Sequence, residues 1–335
     1  MINIEVFNDN KSEIIIDQFK SLILQENFLR PNSFSLVLNF KYKYIIKPDT
    51  YFLIENKFYY VDRVESDGLN IRIAGKGLAQ LADRQIIKGT FIKSAKPTII
   101  CKELCNNYVT YFDNQCIVSS PDITETIQYQ KSYGNILEEV TNLCLTYDFG
   151  FVEEPTNLLM PSCKLIFHSG NDVSANVEFS VFNDNLIAEN YENINYNYKN
   201  VAYVYGEGEG TARKNVIVND HITGLNRREL YVDARDLQQG NLTDAAYLNL
   251  LRMRGRQKLA EYQKSFKIEG FIDINDELFK YGIDYKVGDF ISVNSKKFNL
   301  KRKQRLISMV RTWDRAGFHM DPVFDFDAPI IFLRR

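Results

Sequence analysis

The sequence predicts a β-rich α+β fold: a β domain at each end of the chain, a small α+β domain inserted between them, and one long helix in the second half. Three observations predict it. Period-two alternation of apolar and polar residues recurs towards both termini, the mark of strands with one buried face. Helical periodicity is confined to a few short windows in the middle of the chain and one longer one after residue 240. Aromatics are plentiful, 23 Phe and 20 Tyr against one Trp, which favours strands and protein-contact surfaces. The 335 residues can bury two or three cores, and composition divides them at 1–95, 96–190 and 191–335.

In the first segment Phe34, Leu36, Leu38 and Phe40 alternate with Ser35, Val37 and Asn39. Strands at Tyr51–Ile54 and Phe58–Val64 flank a Glu55-Asn56-Lys57 turn, and Asp67-Gly68 supplies the positive φ that turns the chain into Asn70–Ala74. A short basic element covers Gly75 to Arg84. Pro97 opens a short helix with Ile100, Leu104, Cys105 and Tyr108 on one face. A second helix spans Gly134–Asp148, with Ile136, Leu137, Val140, Leu143 and Cys144 inward, and strands at Lys164–Phe167 and Val177–Phe182 close the inserted domain. The long helix, about Asp244–Lys264, sets Leu248, Leu251, Gly255, Leu259 and Tyr262 on one face. Gly there costs roughly 1 kcal/mol against Ala, so it predicts close backbone approach by another element. Strands follow at Phe266–Ile274, Phe290–Val293 and Arg305–Thr312.

The two ends of the chain resemble each other. Asp49 to Phe58, then Val61–Val64 and Asp67-Gly68, matches Asp289 to Phe298, then Leu306–Val310, Asp314 and Gly317. Both read strand, Asn/Lys turn, strand, charged turn. Hairpins are alike by chance as readily as by descent; duplication would give two related antiparallel β-barrels, one at each end. Val6–Asn10 also recurs at Val181–Asn185, a weak match in an Asn-rich chain.

Few chemistries survive inspection. Net charge is −2, so no overall basic field attracts nucleic acid or a membrane surface. No signal peptide and no apolar run of ~20 residues is present, and no membrane insertion is expected. Cys101, Cys105, Cys116, Cys144 and Cys163 are odd in number and irregularly spaced, as reduced, packed thiols are. Cys101 and Cys105 are i, i+4 on the first helix, where core packing outweighs a metal site. His168, His221 and His319 stand far apart, and no zinc or nucleophile signature occurs. No cofactor or metal is expected. Paired carboxylates suited to sugar cleavage exist at Glu138-Glu139, Glu153-Glu154 and Asp325/Asp327. The first pair falls on an exposed helix face, the second beside Pro155 and the third in the C-terminal tail, and each is read as solvated surface.

The most distinctive stretch is Tyr205-Gly206-Glu207-Gly208-Glu209-Gly210-Thr211-Ala212-Arg213, followed by Arg227-Arg228-Glu229 and Asp233-Ala234-Arg235-Asp236. Its third glycine comes one residue too early for G-x-G-x-x-G, β-type Val216–Val218 follows, and two glutamates would repel phosphate. The glycines therefore serve the backbone, through close packing or a bulge. The balanced charges of the second run are either a salt-bridged surface or an intersubunit interface in which they fix register. Lys301-Arg302-Lys303-Gln304-Arg305 is the one strongly basic patch, a solvated loop or the lining of a DNA-conducting channel.

With Ile73–Leu78, Leu81–Ile86 and Asp284–Asp289, these two runs resemble the siphophage tail-tip hub family, the tail-associated (Tal-type) N-terminal domains, which is related to the trimeric baseplate hubs of contractile-tailed phages. The resemblance implies two β-barrel hub domains per protomer and a homotrimer that presents six barrels in a pseudo-sixfold ring. It implies docking on the distal tail protein ring, contact with the tape measure protein and downstream tip or receptor-binding proteins, and a role in capping or lining the DNA exit channel, with transient non-specific contact to viral DNA. Gly206, Gly208, Gly210, Arg213, Arg227, Arg228, Glu229, Asp233, Arg235 and Asp236 are then signature and interface candidates, and Lys301, Arg302, Lys303 and Arg305 channel-lining candidates. The protein is expected in the virion tail tip, assembled in the host bacterial cytoplasm, with lytic and receptor-binding activities on other proteins. A tail-associated peptidoglycan hydrolase and the equivalent hub of a contractile tail are the alternatives.

Overall fold

A computed structural model describes residues 2–8, 11–112, 115–183, 185, 190–269, 278–297 and 299–324. The first segment is a β-barrel unit of seven strands: β1 (Ile4–Asn8), β2 (Lys11–Ile16), β3 (Ser21–Asn27), β4 (Ser33–Asn39), β5 (Tyr51–Ile54), β6 (Lys57–Ser66) and β7 (Asn70–Gly77). The alternation read in β4 is realised, with Phe34, Leu36 and Leu38 buried beside Leu24, Phe52, Ile71 and Ile73. Glu55 and Asn56 both adopt left-handed φ, 48° and 60°, and close the two-residue β5–β6 hairpin in which Ile54 faces Lys57.

The inserted unit holds β8 (Thr90–Ala95), α1 (Pro97–Tyr108), β9 (Ile117–Val118), β10 (Ile127–Ser132), α2 (Ile136–Tyr147), β11 (Gly150–Glu154) and β12 (Lys164–His168). α1 starts at Pro97, and α2 is capped by Asn135, whose Oδ1 accepts the Glu138 N–H at 3.0 Å. All five cysteines are free thiols buried in this core. Two expectations fail here. Glu139 is buried, with Lys131 at 2.6 Å and the Tyr129 hydroxyl at 2.8 Å. Glu153 is buried as well, accepting the N–H groups of Asn32 (2.7 Å) and Ala79 (2.9 Å). Neither is solvated surface. Burial pushes the Glu153 pKa up, against those two donors. Glu153 thereby clasps the insertion to the first barrel. Asp325 and Asp327 lie outside the described residues.

Next come β13 (Glu178–Ser180) and β14 (Asn190–Ile194), then a three-stranded sheet of β15 (Val201–Tyr205), β16 (Asn215–Val218) and β17 (Glu229–Asp233), covered by α3 (Asp244–Ala260). α3 is one turn shorter than predicted and is buried on two faces. Tyr247, Leu250 and Leu251 pack on the small sheet, while Met253 enters the core of the insertion. A Cβ on Gly255 would lie 2.6 Å from Val218 Cγ2 and 2.7 Å from Val204 Cγ2, the close approach that its place in the sequence predicts.

The remaining strands are β18 (Ser265–Glu269), β19 (Phe290–Ser295), β20 (Leu300–Asp314) and β21 (Gly317–Phe324). Val177 and Phe179, read as closing the insertion, instead pack with Tyr285, Ile291, Val293 and Phe324, because β13 pairs parallel with β19. The last part of the Phe266–Ile274 strand falls outside the described residues.

The meanders β5–β6–β7 and β19–β20–β21 match bond for bond. Thr50 N–H donates to Lys47 C=O while the Thr50 hydroxyl accepts the Lys47 N–H. Asp289 makes the same pair of bonds with Lys286. Between them sits a left-handed residue, Asp49 (φ 65°) or Gly288 (φ 100°). Val61 bonds to Thr50 and Asp49 as Leu306 bonds to Asp289 and Gly288. One residue later each long strand carries a bulge, between Val61 and Arg63 and between Leu306 and Ser308. The structural match sets Asp49 against Gly288, one position from the sequence match of Asp49 with Asp289.

Strand β3 of the first barrel pairs antiparallel with β20 of the second, Asn27 opposite Ser308 through Leu22 opposite Trp313. The barrels therefore share one continuous sheet. A half-buried cluster stitches this seam: Glu26 accepts from Lys57 (2.6 Å), Arg311 (2.5 Å) and the Tyr281 hydroxyl (3.2 Å), and Arg311 also reaches Glu55.

Candidate interaction surface

Period-two alternation in β15 sends Ala202 and Val204 towards α3, leaving Tyr203 and Tyr205 on the opposite face with Tyr231 and Ile217. Tyr231 is 61% exposed and Ile217 37%. β15 runs antiparallel to β16 and parallel to β17, which sets Tyr203 directly opposite Ile217 and Tyr231.

The glycine loop leaves the end of β15. Gly206 is required by packing, since a Cβ would sit 2.3 Å from the Tyr247 Oη. That hydroxyl accepts the Glu207 N–H at 2.8 Å and donates to Leu237 C=O at 2.9 Å, locking the loop to α3. Gly208 (φ +104°) and Gly210 (φ +53°) take left-handed conformations. Arg213 closes the loop, donating to Gly206 C=O (3.0 Å), Tyr205 C=O (2.6 Å) and Asp233 Oδ1 (2.9 Å), with its guanidinium 5.5 Å over the Tyr205 ring. The two runs of the signature thus meet on one surface.

Arg227 lies 5.6 Å over Tyr203 and donates to Glu229 (2.6 Å), the Tyr203 hydroxyl (2.7 Å) and Ile222 C=O (2.7 Å). Glu229, then Tyr203, hold its pKa above the ordinary arginine value. Asp233 is shared by Arg235 and Arg213, and its carboxyl is held down at about 2, chiefly by Arg235. The result is a partly exposed face of tyrosines, with Arg227 laid on the ring of Tyr203 and Arg213 on that of Tyr205, the composition enriched at protein interfaces. Tyr205 opens the distinctive glycine stretch, yet neither it nor Tyr203 nor Tyr231 is among the interface candidates read from the sequence, although the alternation 203, 205 with Tyr231 marks them.

Two run members point elsewhere. Arg228 donates to Asn195 C=O at 2.8 Å beside Tyr198. Asp236 pairs in bidentate fashion with Arg254 of α3, at 2.8 and 2.9 Å; burial opposes ionisation there and the arginine outweighs it, lowering the pKa. Both bind neighbouring parts of the unit, although the Asp236 carboxylate stays partly exposed.

The basic patch is not a loop. Residues 301–305 lie in β20, paired with β19 from Phe290–Arg305 to Asn294–Lys301. Lys301 pairs with Glu178 (2.7 Å) and Lys303 with Asp172 (2.8 Å). Arg305, expected to line a channel, is 3% exposed. It donates to Ser169 C=O and Gly288 C=O, both at 2.7 Å, and to Asp148 Oδ2 at 2.8 Å, with Phe290 stacked 4.0 Å away. Its charge is consumed inside the chain. Among the described residues no cluster of His, Cys, Asp and Glu could hold a metal ion, and no helix is long and apolar enough to cross a membrane.

Three solved structures share this architecture over nearly their whole length. The 43 kDa tail protein of prophage MuSo2 from Shewanella oneidensis is 15% identical, with TM-score 0.63 and coverage of 96% of this chain and 97% of its own. The tail protein of Neisseria meningitidis MC58 is 13% identical, with TM-score 0.60 and 97% of each chain covered. Prophage tail protein gp18 of Listeria monocytogenes EGD-e is 11% identical, with TM-score 0.55 and 96% and 94% covered. The fold is therefore that of bacteriophage tail proteins, with β-barrel, hub-like domains. No protein of curated function matches the chain in sequence. The chain belongs to the Siphovirus ReqiPepy6 Gp37-like protein family, whose profile matches residues 82–324.

Proposed function

We propose that the protein is a non-catalytic structural hub of a phage tail tip. Three copies form a ring in which six barrels present pseudo-sixfold symmetry, dock on the sixfold distal tail ring and surround the DNA exit channel. The observation that carries this reading is the bond-for-bond repeat of the two meanders within a tail-protein fold. A chain with two equivalent barrels on one sheet is what a threefold assembly needs to meet a sixfold one.

The tyrosine–arginine face of β15–β17, with Arg213, Arg227, Glu229, Asp233 and Arg235, is proposed to contact a neighbouring tail component. Lys301, Arg302 and Lys303 are assigned to the mouth of the channel, where they would meet DNA only transiently. The hydrolase alternative gains no support from Glu139 or Glu153, each buried and bound to structural partners.

Light scattering of the purified protein with negative-stain averaging of the same peak tests the reading. A roughly 117 kDa particle, three times 39.0 kDa, with six lobes is expected. A stable twofold dimer with a deep cleft would overturn it.

A further inference from the structure

The repeat extends beyond the meanders to the strands flanking them. Across the sheet from β7 lie β4 and then β3; across from β21 lie β18 and then β14. Register fixes the match. Val61 pairs with Gly75 and Leu306 with Phe324, each at its bulge. Phe34 faces Gly75 and Ile268 faces Phe324. Leu24 faces Phe34 and Tyr191 faces Ile268. β14 is therefore the counterpart of β3.

The two differ in what lies on their far side. β3 pairs with β20 beyond the bulge, past the point where β19 has ended its pairing. The counterpart of that stretch of β20 is Arg63–Ser66 of β6, beyond the end of β5 pairing at Tyr60. Among the described residues no strand pairs with this stretch on the β5 side, and the only strand β14 pairs with is β18. β14 stands at one end of the run β14-β18-β21-β20-β3-β4-β7-β6, and at the other the first residues of β6 carry β5, β1 and β2 while Arg63–Ser66 lie beyond the β5 pairing.

We infer that β14 of one protomer pairs antiparallel with β6 of the next, reproducing between copies the β3–β20 seam inside each chain. The inference rests on the trimeric reading above and says which surfaces close it. The occupant of each edge is a second copy because the chain already contains the template of the joint. Carried through the repeat, Gln25 opposite Val310 becomes Glu192 opposite the neighbour's Glu65, and Asn27 opposite Ser308 becomes Ile194 opposite its Arg63. The two glutamates would repel alone; Arg63, two residues from Glu65 on the same face and already paired with it, stands beside both. Eight strands per protomer would then close through three copies into a cyclic sheet, from which β5–β1–β2 and β19–β13 branch.

Directly opposed residues lie within disulfide reach, Glu65 and Glu192 are exposed, and the five native thiols are buried. The test is a chain carrying both Glu65→Cys and Glu192→Cys, oxidised mildly and run on a non-reducing gel beside each single variant. A covalent ladder ending at the trimer, absent from both single variants, is expected. Cross-linking no greater than in the single variants, while light scattering finds a trimer, would overturn this seam and leave the trimer standing. A monomer that never cross-links overturns both. A ladder running past the trimer supports the strand pairing and overturns the closed ring.

Discussion

His168 shows how much of the chemistry here is internal. Its ring packs edge-on against Phe28, with centroids 5.3 Å apart, and its Nδ1 accepts the Gly170 N–H at 3.1 Å. Burial pushes its pKa down to about 4 from the ordinary 6.5, with Lys286 and Arg305 adding to the effect and Asp289 opposing it. The folded state thus refuses a proton that the unfolded chain accepts. Stability is full above the unfolded pKa and falls as pH drops from about 6.5 towards 4, by on the order of 3 kcal/mol at the acid end. Urea unfolding at about pH 7 and about pH 4.5 checks this, with the gap between wild type and His168→Gln narrowing at acid pH. An unchanged gap would refute it. Neither His168 nor Arg305 is legible as buried from sequence, because what covers each includes residues more than a hundred positions away, Phe28 for His168 and Asp148 and Ser169 for Arg305.

At the scale of elements, α3 illustrates what periodicity reveals and what it hides. The sequence shows one apolar face and a glycine asking for a close neighbour; Val204 and Val218 are that neighbour. The second buried face is invisible in the pattern because beside Met253 it carries the polar Arg254, matched to Asp236, and Gln257. Gly255→Ala should gain roughly 1 kcal/mol of helix propensity yet lose about 1–3 kcal/mol to overpacking. A net fall in melting temperature is expected by calorimetry, and a rise would mean the sheet yields freely. The β20 patch teaches the converse. Five residues with four cations read as a loop, whereas acids on neighbouring segments, Glu178 and Asp172, make a strand tolerable there.

For the whole molecule, the duplication was legible as a hairpin pattern, but its true register was not. Hydrogen bonds at Thr50 and Asp289 align residues of different type, Asp49 with Gly288, which residue identity cannot do. The continuous sheet was not legible either, since β3 and β20 are separated by most of the chain. If copies complete one another's sheets, folding and association are linked, and the melting temperature should rise with protein concentration. Calorimetry over a hundredfold dilution series would show it; a constant value across the range in which light scattering sees dissociation would count against linkage.

The seam within the chain is stitched by Glu26, Lys57 and Arg311. At the matching positions of the seam proposed between copies, Glu26 becomes Asn193 and Arg311 becomes Ser66, neither of them ionisable. A ring joined in this way has strong and weak hinges in alternation. Pulled outward, it would part at every second joint into three petals of two barrels each, so the aperture would widen with a triangular rather than a hexagonal outline.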